Sequence, residues 1–296
     1  MKIDVCIATY RRPEWLRLLL HDLDQQQMRQ DCSLRWIVVD NDPDASARPV
    51  VEARGTQGPP LLYLTQPQKN IALTRNMALD HCQADWVAFV DDDERVPPDW
   101  LQTLLEAQRR FEADAVLGPV EGQLPAAAPA WVRRGGFFAA RSVPSGTPQH
   151  WGATNNALVR ASYISAGARF EPRFGLTGGE DTAFFYGLSR QGARLVWCQE
   201  ALITEHVPPD RTTLRWLMRR NFRGGQCFAD IVDRPLGLGR RLAWGLRCGA
   251  LLATSALLAL CTLPFSAGTG LRYAVRAAGS AGRLSSVLAY RFQEYR

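Results

Sequence analysis

Short apolar runs alternate with longer segments in which apolar residues recur every three or four positions. Ile3–Thr9 reads as a short buried strand. Arg11-Arg12-Pro13 then opens a helix, with Pro13 in the first turn, where a missing N–H breaks no helical bond. Trp15, Leu16, Leu19, Leu20 and Leu23 give that helix an apolar stripe. Arg35–Val39 predicts a second strand, ending in Asp40-Asn41-Asp42-Pro43. Leu61–Leu64 predicts a weaker third strand, Ile71–His81 a helix, and Asp85–Val90 a strong strand ending in Asp91-Asp92-Asp93. This alternation predicts an α/β fold, Rossmann-like, with a mainly parallel sheet flanked by helices. Ligands of such sheets bind beyond the carboxyl ends of the strands, so both acidic turns fall where a site is expected.

Further on, Trp100–Phe111 predicts a helix and Ala113–Pro119 a strand. Residues 122–150 are rich in Pro, Gly and Ala without a period, the pattern of a long lid or acceptor loop. Order returns with Thr154–Arg160, a helix over Gly178–Gln191, a strand over Arg194–Cys198 and a basic helix over Leu214–Phe228. Residues 248–265 carry no charged side chain. A bilayer span usually takes about 20 residues, and Thr254, Ser255, Thr262 and Pro264 interrupt this one. A membrane-embedded or in-plane hairpin is expected, with Arg240, Arg241, Arg247, Arg272 and Arg276 flanking it at an anionic surface. A buried helix pair completing the core is the alternative. The expected division is a catalytic domain over 1–212 and a basic, apolar helical region over 213–296.

The 296 residues suffice for one large α/β domain with an appendage. A hydrophobic share of 46% and a charged share of 22% exclude a disordered chain. The net charge of +6 suits anionic partners without choosing among nucleotide phosphates, lipid headgroups and nucleic acid. Nucleic acid is disfavoured because the arginines cluster beside an apolar segment and no recognised module appears. The 7 cysteines form no CxxC, so reduced, mostly buried thiols are expected rather than zinc or a disulfide framework. Met1–Thr9 contains Asp4 and lacks the apolar core of a signal peptide, so export is not expected.

Adjacent acids repel unless something positive lies among them. Mg²⁺ or Mn²⁺ would suit Asp91, Asp92 and Asp93, because such ions take one or two protein carboxylates and complete their shell with phosphate and water. A solvated acidic turn is the plainer alternative. Asp40 could accept from a base or ribose, or simply organise a turn. Glu180 and Asp181, after Gly178-Gly179, either complement the start of a helix or supply a general base for a sugar hydroxyl. His206 could ligate a metal or serve structure. Arg219, Arg220 and Arg223 could bind phosphate oxygens bidentately or form a solvated or membrane-facing basic surface.

The order of motifs resembles the family 2 inverting glycosyltransferases of GT-A fold. The matching pieces are Ile7-Ala8-Thr9-Tyr10-Arg11-Arg12-Pro13, Val38-Val39-Asp40-Asn41, Asn70-Ile71-Ala72-Leu73-Thr74-Arg75-Asn76, Phe89-Val90-Asp91-Asp92-Asp93, Trp151-Gly152-Ala153-Thr154-Asn155-Asn156 and Gly179-Glu180-Asp181. The chain is most similar to the bacterial exopolysaccharide branch, of which succinoglycan-type glucosyltransferases are an example. The resemblance implies that Thr9 and Arg11 line the nucleotide pocket, that Asp40 reads the base, expected to be uracil, and that Arg75 lies near base or phosphate. It implies that Asp91, beside Asp92, touches the ribose, that Asp93 holds the metal, and that Asn155 and Asn156 lie near donor sugar and acceptor. Asp181 would be the catalytic base, with Glu180 supporting it or binding the acceptor.

The processive synthases carry Gln-x-x-Arg-Trp, which Arg219–Gly225 does not match. One sugar per encounter is therefore expected, from a UDP-sugar to a polyprenyl-diphosphate-linked saccharide at the cytoplasmic face of the inner membrane. Two competitors remain: a sugar nucleotidyltransferase releasing pyrophosphate, and a non-catalytic sugar-nucleotide-binding membrane protein.

Overall fold

The computed structural model describes residues 1–29, 31–232 and 238–286. The chain runs β1 (Lys2–Thr9), α1 (Pro13–Asp24), β2 (Ser33–Asp40), α2 (Arg48–Arg54), β3 (Leu61–Thr65), α3 (Ile71–Asp80), β4 (Trp86–Asp91), β5 (Glu94–Arg95) and α4 (Trp100–Phe111). It continues through β6 (Ala115–Leu117), β7 (Val120–Gln123), α5 (Ala130–Gly135), β8 (Pro148–Gln149), β9 (Asn156–Arg160), α6 (Ala161–Ser165) and α7 (Glu180–Arg190). It ends with β10 (Leu195–Trp197), β11 (Ile203–His206), α8 (Leu214–Ile231), α9 (Leu238–Thr262) and α10 (Ala267–Ser285). Two compact units form: one of residues 1–121, 140–176 and 180–205, the other of residues 122–139, 177–179 and 206–296.

The first unit is built on an 8-stranded sheet of order β3-β2-β1-β4-β9-β6-β10-β8. Strands β1, β2, β3 and β4 pair in parallel, while β9 runs antiparallel to both β4 and β6. Parallel central strands are covered on both faces, which is why β1, β2 and β4 read as near-continuous apolar runs. Ile3, Val5 and Ile7 pack with Leu16, Leu19, Leu20 and Leu23 of α1 and with Trp100, Leu101 and Leu104 of α4. Cys6, Ile37, Val39 and Phe89 face the other way, onto Ala72 and Leu79 of α3 and Phe184, Phe185 and Leu188 of α7. The mixed α/β sheet expected from the sequence is therefore a three-layer sandwich. The order in which strands are added reverses at β1, with β2 on one side and β4 on the other, and such a switch point is where ligands of open α/β sheets bind, beyond the strand tips.

Residues 122–150, expected as loop, contain the end of β7, all of α5 and the short β8. The signal was masked because a 6-residue helix is too short to display a period. None of the 7 cysteines is in a disulfide. Cys6 and Cys82 Sγ nonetheless lie 3.6 Å apart.

In the second unit, α10 packs against both α8 and α9. Thr213 caps α8 by accepting from the Trp216 N–H, and Ser266 caps α10 by accepting from the Thr269 N–H. The α8–α10 contact depends on glycine. A Cβ on Gly225 would lie 2.0 Å from the Gly279 carbonyl oxygen. Gly225→Val is expected to destabilise the chain by about 1–3 kcal/mol through overpacking, read as a lowered urea midpoint. An unchanged midpoint would show that these helices can separate without loss.

Candidate active site

Register brings the strand ends level. Thr9 pairs with Asp40 across β1 and β2, and Ala8 pairs with Asp91 across β1 and β4. Acids far apart in sequence are thus set at one edge of the sheet by backbone pairing alone.

Beyond that edge, two arginines hold the acids together. The Arg12 guanidinium donates to Asp92 Oδ1 at 3.0 Å and to Asp93 Oδ2 at 2.7 Å. Thr9 Oγ1 donates to the other oxygen of Asp92 at 2.8 Å. Arg75, on α3, donates through Nη2 to Asp91 Oδ1 at 3.0 Å and through Nη1 to Glu180 Oε1 at 2.5 Å. One planar fork therefore ties the acidic turn after β4 to the first residue of α7. The repulsion among three adjacent acids is answered by protein cations, which sequence reasoning gave to a metal alone.

The arginine is placed by a chain of local bonds. Asn41, just after β2, holds the main chain ahead of α3 by donating to the carbonyls of Gln66 and Gln68. Its Oδ1 accepts from the Asn70 N–H, and Asn70 in turn caps α3 by accepting from Leu73 N–H. Arg75 then follows one turn into the helix, over the ring of Phe170. The Glu180-Asp181 pair is delivered by Gly178 and Gly179, whose φ values of +79° and +96° suit glycine.

Burial tunes the acids. It pushes the Asp92 carboxyl up to about 7, against the pull of Arg12. It likewise raises Glu180 to about 7, helped by repulsion from Asp181 and opposed by Arg75. Asp181 is raised by burial, again against Arg75. Glu180 Oε2 is buried without a hydrogen-bond partner. Arg75 itself stays charged, since Asp91, Glu180 and Asp181 outweigh the burial that works against it.

Other residues singled out in the sequence take different positions. Asp40 is 0% exposed; Oδ1 accepts from Asp42 N–H, and Oδ2 accepts from Ala47 N–H and the Tyr63 hydroxyl. In this arrangement both oxygens are committed to the chain's own donors. Arg11 is exposed and pairs with Asp42 and Asp44. Asn155 is half-buried before β9. Asn156 is enclosed, accepting from Trp100 Nε1 and donating to the carbonyls of Pro119 and Ala201. His206 ends β11 and, like Arg220 and Arg223 on α8, belongs to the second unit. The acids and arginines of the cluster described above all belong to the first unit.

Two residues were given no role by the sequence. Arg12 was read as part of a helix opening and quoted in the motif Ile7–Pro13, without a role of its own. Glu94 follows the three aspartates, is buried, accepts from the Asp91 N–H and has its carboxyl raised well above the ordinary range by burial.

A mainly parallel sheet with acids gathered at the turn after its central strand is the architecture of the GT-A glycosyltransferases. Residues 4–163 match the family model "Glycosyl transferase family 2", and residues 86–281 match "Glycosyl transferase family group 2". The chain belongs to glycosyl transferase family 2. It is 40% identical over 291 residues to the succinoglycan biosynthesis protein ExoM of Rhizobium meliloti (strain 1021), an alignment covering 97% of this chain and 93% of the relative. It is 32% identical over 214 residues to a pre-mycofactocin glycosyltransferase of Mycobacterium tuberculosis (strain CDC 1551 / Oshkosh), covering 68% of this chain and 43% of that one.

Among solved structures, the mannosyltransferase PcManGT from Pyrobaculum calidifontis, in complex with GDP-Man and Mn²⁺, superposes with a TM-score of 0.67 at 17% identity, covering 97% of this chain and 87% of that one. S. aureus TarS 1–349 in complex with UDP gives a TM-score of 0.57 at 15% identity, covering 98% and 91%. At such identities the likeness carries the fold.

Proposed function

We propose that this family 2 enzyme transfers a sugar from a nucleotide diphosphate, a UDP-sugar, to a hydroxyl of a lipid-linked or polysaccharide acceptor, with inversion at the anomeric carbon. The observation that carries this reading is the Arg75 bridge between Asp91 and Glu180. Attack and departure must occur at one carbon, so the groups serving them must share one pocket. A single guanidinium bonded to both acidic sets meets that requirement. The likeness to folds solved with UDP and with GDP-Man supports a sugar nucleotide as donor. The likeness to a succinoglycan biosynthesis protein supports a role in exopolysaccharide biosynthesis. The acceptor in this reading is carried on a polyprenyl diphosphate at the cytoplasmic face of the inner membrane.

Within this reading, residues 1–212 bind donor and perform catalysis. Asp181 takes the proton of the attacking hydroxyl, and its raised carboxyl suits a base working near neutral pH. Glu180, fixed on Arg75, keeps the pair in place. Thr9 and Arg11 border the nucleotide. Asp40 acts on the base through the loop it anchors. Asn155 lies by the donor sugar, and Asn156 sets the strand that presents it. Arg220 and Arg223 bind phosphate oxygens from α8 in the helical region 213–296.

The acids at the strand tips offer oxygen donors, as Mg²⁺ or Mn²⁺ prefers. Among the described residues no group of three or more His, Cys, Asp or Glu is arranged to hold an ion. The fit is therefore to a cation held by Asp93, beside the partly exposed Asp91, and by the donor's own phosphates. When bound, that cation neutralises charge on the departing diphosphate as a Lewis acid.

The test is a panel of sugar nucleotides, with and without Mn²⁺, against a soluble acceptor. The expected products are a nucleoside diphosphate and an inverted glycoside, formed only with the metal. Pyrophosphate release would favour a nucleotidyltransferase. Binding without turnover on any acceptor would favour a non-catalytic protein.

A further inference from the structure

We propose that α9 lies lengthwise in the plane of an anionic bilayer surface and does not cross it. This rests on the membrane reading above and goes further by naming the face, the depth and the lipid chemistry. Gly239–Thr262 is long and apolar enough to cross a membrane, so length alone leaves both arrangements open. The distribution of its side chains separates them.

A helix at a protein surface normally turns its polar side outward. Here the reverse holds. Cys248 and Ser255 lie on the packed side and are buried. On the opposite side Leu242, Leu246, Ala250, Ala253, Leu257 and Leu260 follow one another at spacings of three and four, all exposed. The four leucines are 61%, 76%, 61% and 72% exposed in that order. This stripe carries no charge from one end of the 25-residue helix to the other, a length of about 37 Å. Arg240 and Arg247 fall on its flank, where long side chains reach headgroups while the stripe enters the acyl boundary.

Two further observations agree. Thr254 and Thr262 satisfy their hydroxyls on the helix's own carbonyls, at Ala250, Leu251 and Leu258, and so lose little on leaving water. The neighbouring α10 runs back along α9 and carries Arg272, Arg276 and Arg283, with Arg272 and Arg276 exposed. A Cβ on Gly270 would meet the backbone of Leu263, so α10 lies tight against the end of α9. Crossing the bilayer would draw those arginines into hydrocarbon; lying flat leaves them at the headgroups.

The occupant follows from charge. Between residues 238 and 286 there are arginines and no Asp, Glu or Lys. A second copy of this chain would set arginines against arginines, whereas anionic headgroups would complement them.

The experiment is flotation of the full chain with vesicles of phosphatidylglycerol, compared with phosphatidylcholine, at low and high salt. Binding to the anionic vesicles is expected, weakened by salt. Leu246→Glu and Leu257→Glu, at exposed positions, should each reduce partitioning by about tenfold while transfer to a soluble acceptor is unchanged. Depth is then read with a fluorophore on Leu246→Cys, Ala253→Cys or Leu260→Cys, in a chain whose native cysteines are replaced, using lipid-borne quenchers. The expected result is one shallow depth at all three positions. A maximum at Ala253 would mean a span, and a maximum at Leu260 alone would mean insertion of the α9–α10 corner; either overturns the proposal. Concentration-dependent dimers that bury the stripe without lipid would replace the bilayer by a second copy. If the cysteine-free chain fails to fold, the two charge variants decide: full flotation in both overturns the proposal. Absence of flotation in the native chain would remove the membrane reading as well, and leave sugar transfer standing on its own assay.

Discussion

Arg75→Met is expected to destabilise the chain by about 3–5 kcal/mol, the usual consequence of removing one partner from a buried ionic cluster. Arg75 is only 8% exposed and Glu180 only 7%, so water cannot replace the lost charge at either end. Turnover should fall by about 10²-fold or more in whatever fraction remains folded, because Glu180 and Asp91 then lose their common anchor. Arg75→Lys should recover part of the stability and little of the rate. An ammonium is a compact charge without the planar fork that reaches two carboxylates at once. The double variant Arg75→Met/Glu180→Gln separates the two effects. It no longer leaves the buried Glu180 carboxylate facing an apolar side chain, so urea unfolding should move back toward the native midpoint while activity stays low. A single Arg75→Met variant with native stability and native kcat/KM would remove the bridge from the argument.

Asp181→Asn is expected to lower kcat/KM by about 10²–10⁴-fold with donor binding retained, the range ascribed to a lost general base. The pH profile gives an independent check. Only the ionised carboxylate accepts a proton, so activity must fall as pH drops through the pKa of this group. Burial raises that pKa, so the acid limb should sit above the ordinary aspartate value of about 3.9. Glu180, pushed to about 7, titrates beside it, and the native limb belongs to the pair. In Glu180→Gln the limb should simplify to a single proton. Near-normal turnover in Asp181→Asn would assign the base elsewhere.

Much of the first unit was legible because local rules and tertiary need agree there. The apolar runs at Ile3–Thr9, Arg35–Val39 and Asp85–Val90 became β1, β2 and β4 with ends shifted by one or two residues. Pro13 opened α1 as expected, and Leu16, Leu19, Leu20 and Leu23 are its buried stripe. The short α2, the two-residue β5 and the four-residue β11 were not read, since elements that brief carry no period of their own. The uncharged run at 248–265 was expected as a hairpin, and it is the C-terminal part of α9 followed by the corner that leads to α10. Which side of that helix stays uncovered was not written in the run itself. Exposure depends on α10 packing along only one face.

The sequence by itself determined the kind of sheet, the helices that cover it, and which acids stand at strand ends, because periodicity and turn chemistry act over a few residues. It also determined that cations would be needed beside Asp91, Asp92 and Asp93, since like charges repel wherever they are set. Only the tertiary structure decided which cations these are. Arg12 and Arg75 are separated from their partners by 80 and 105 residues at the extreme contacts, and nothing local marks such pairs. The same holds for Asp40, whose enclosure depends on Tyr63 arriving from the next strand. Proximity across a sheet follows from strand order and register, and those are properties of the whole packed unit rather than of any segment read alone.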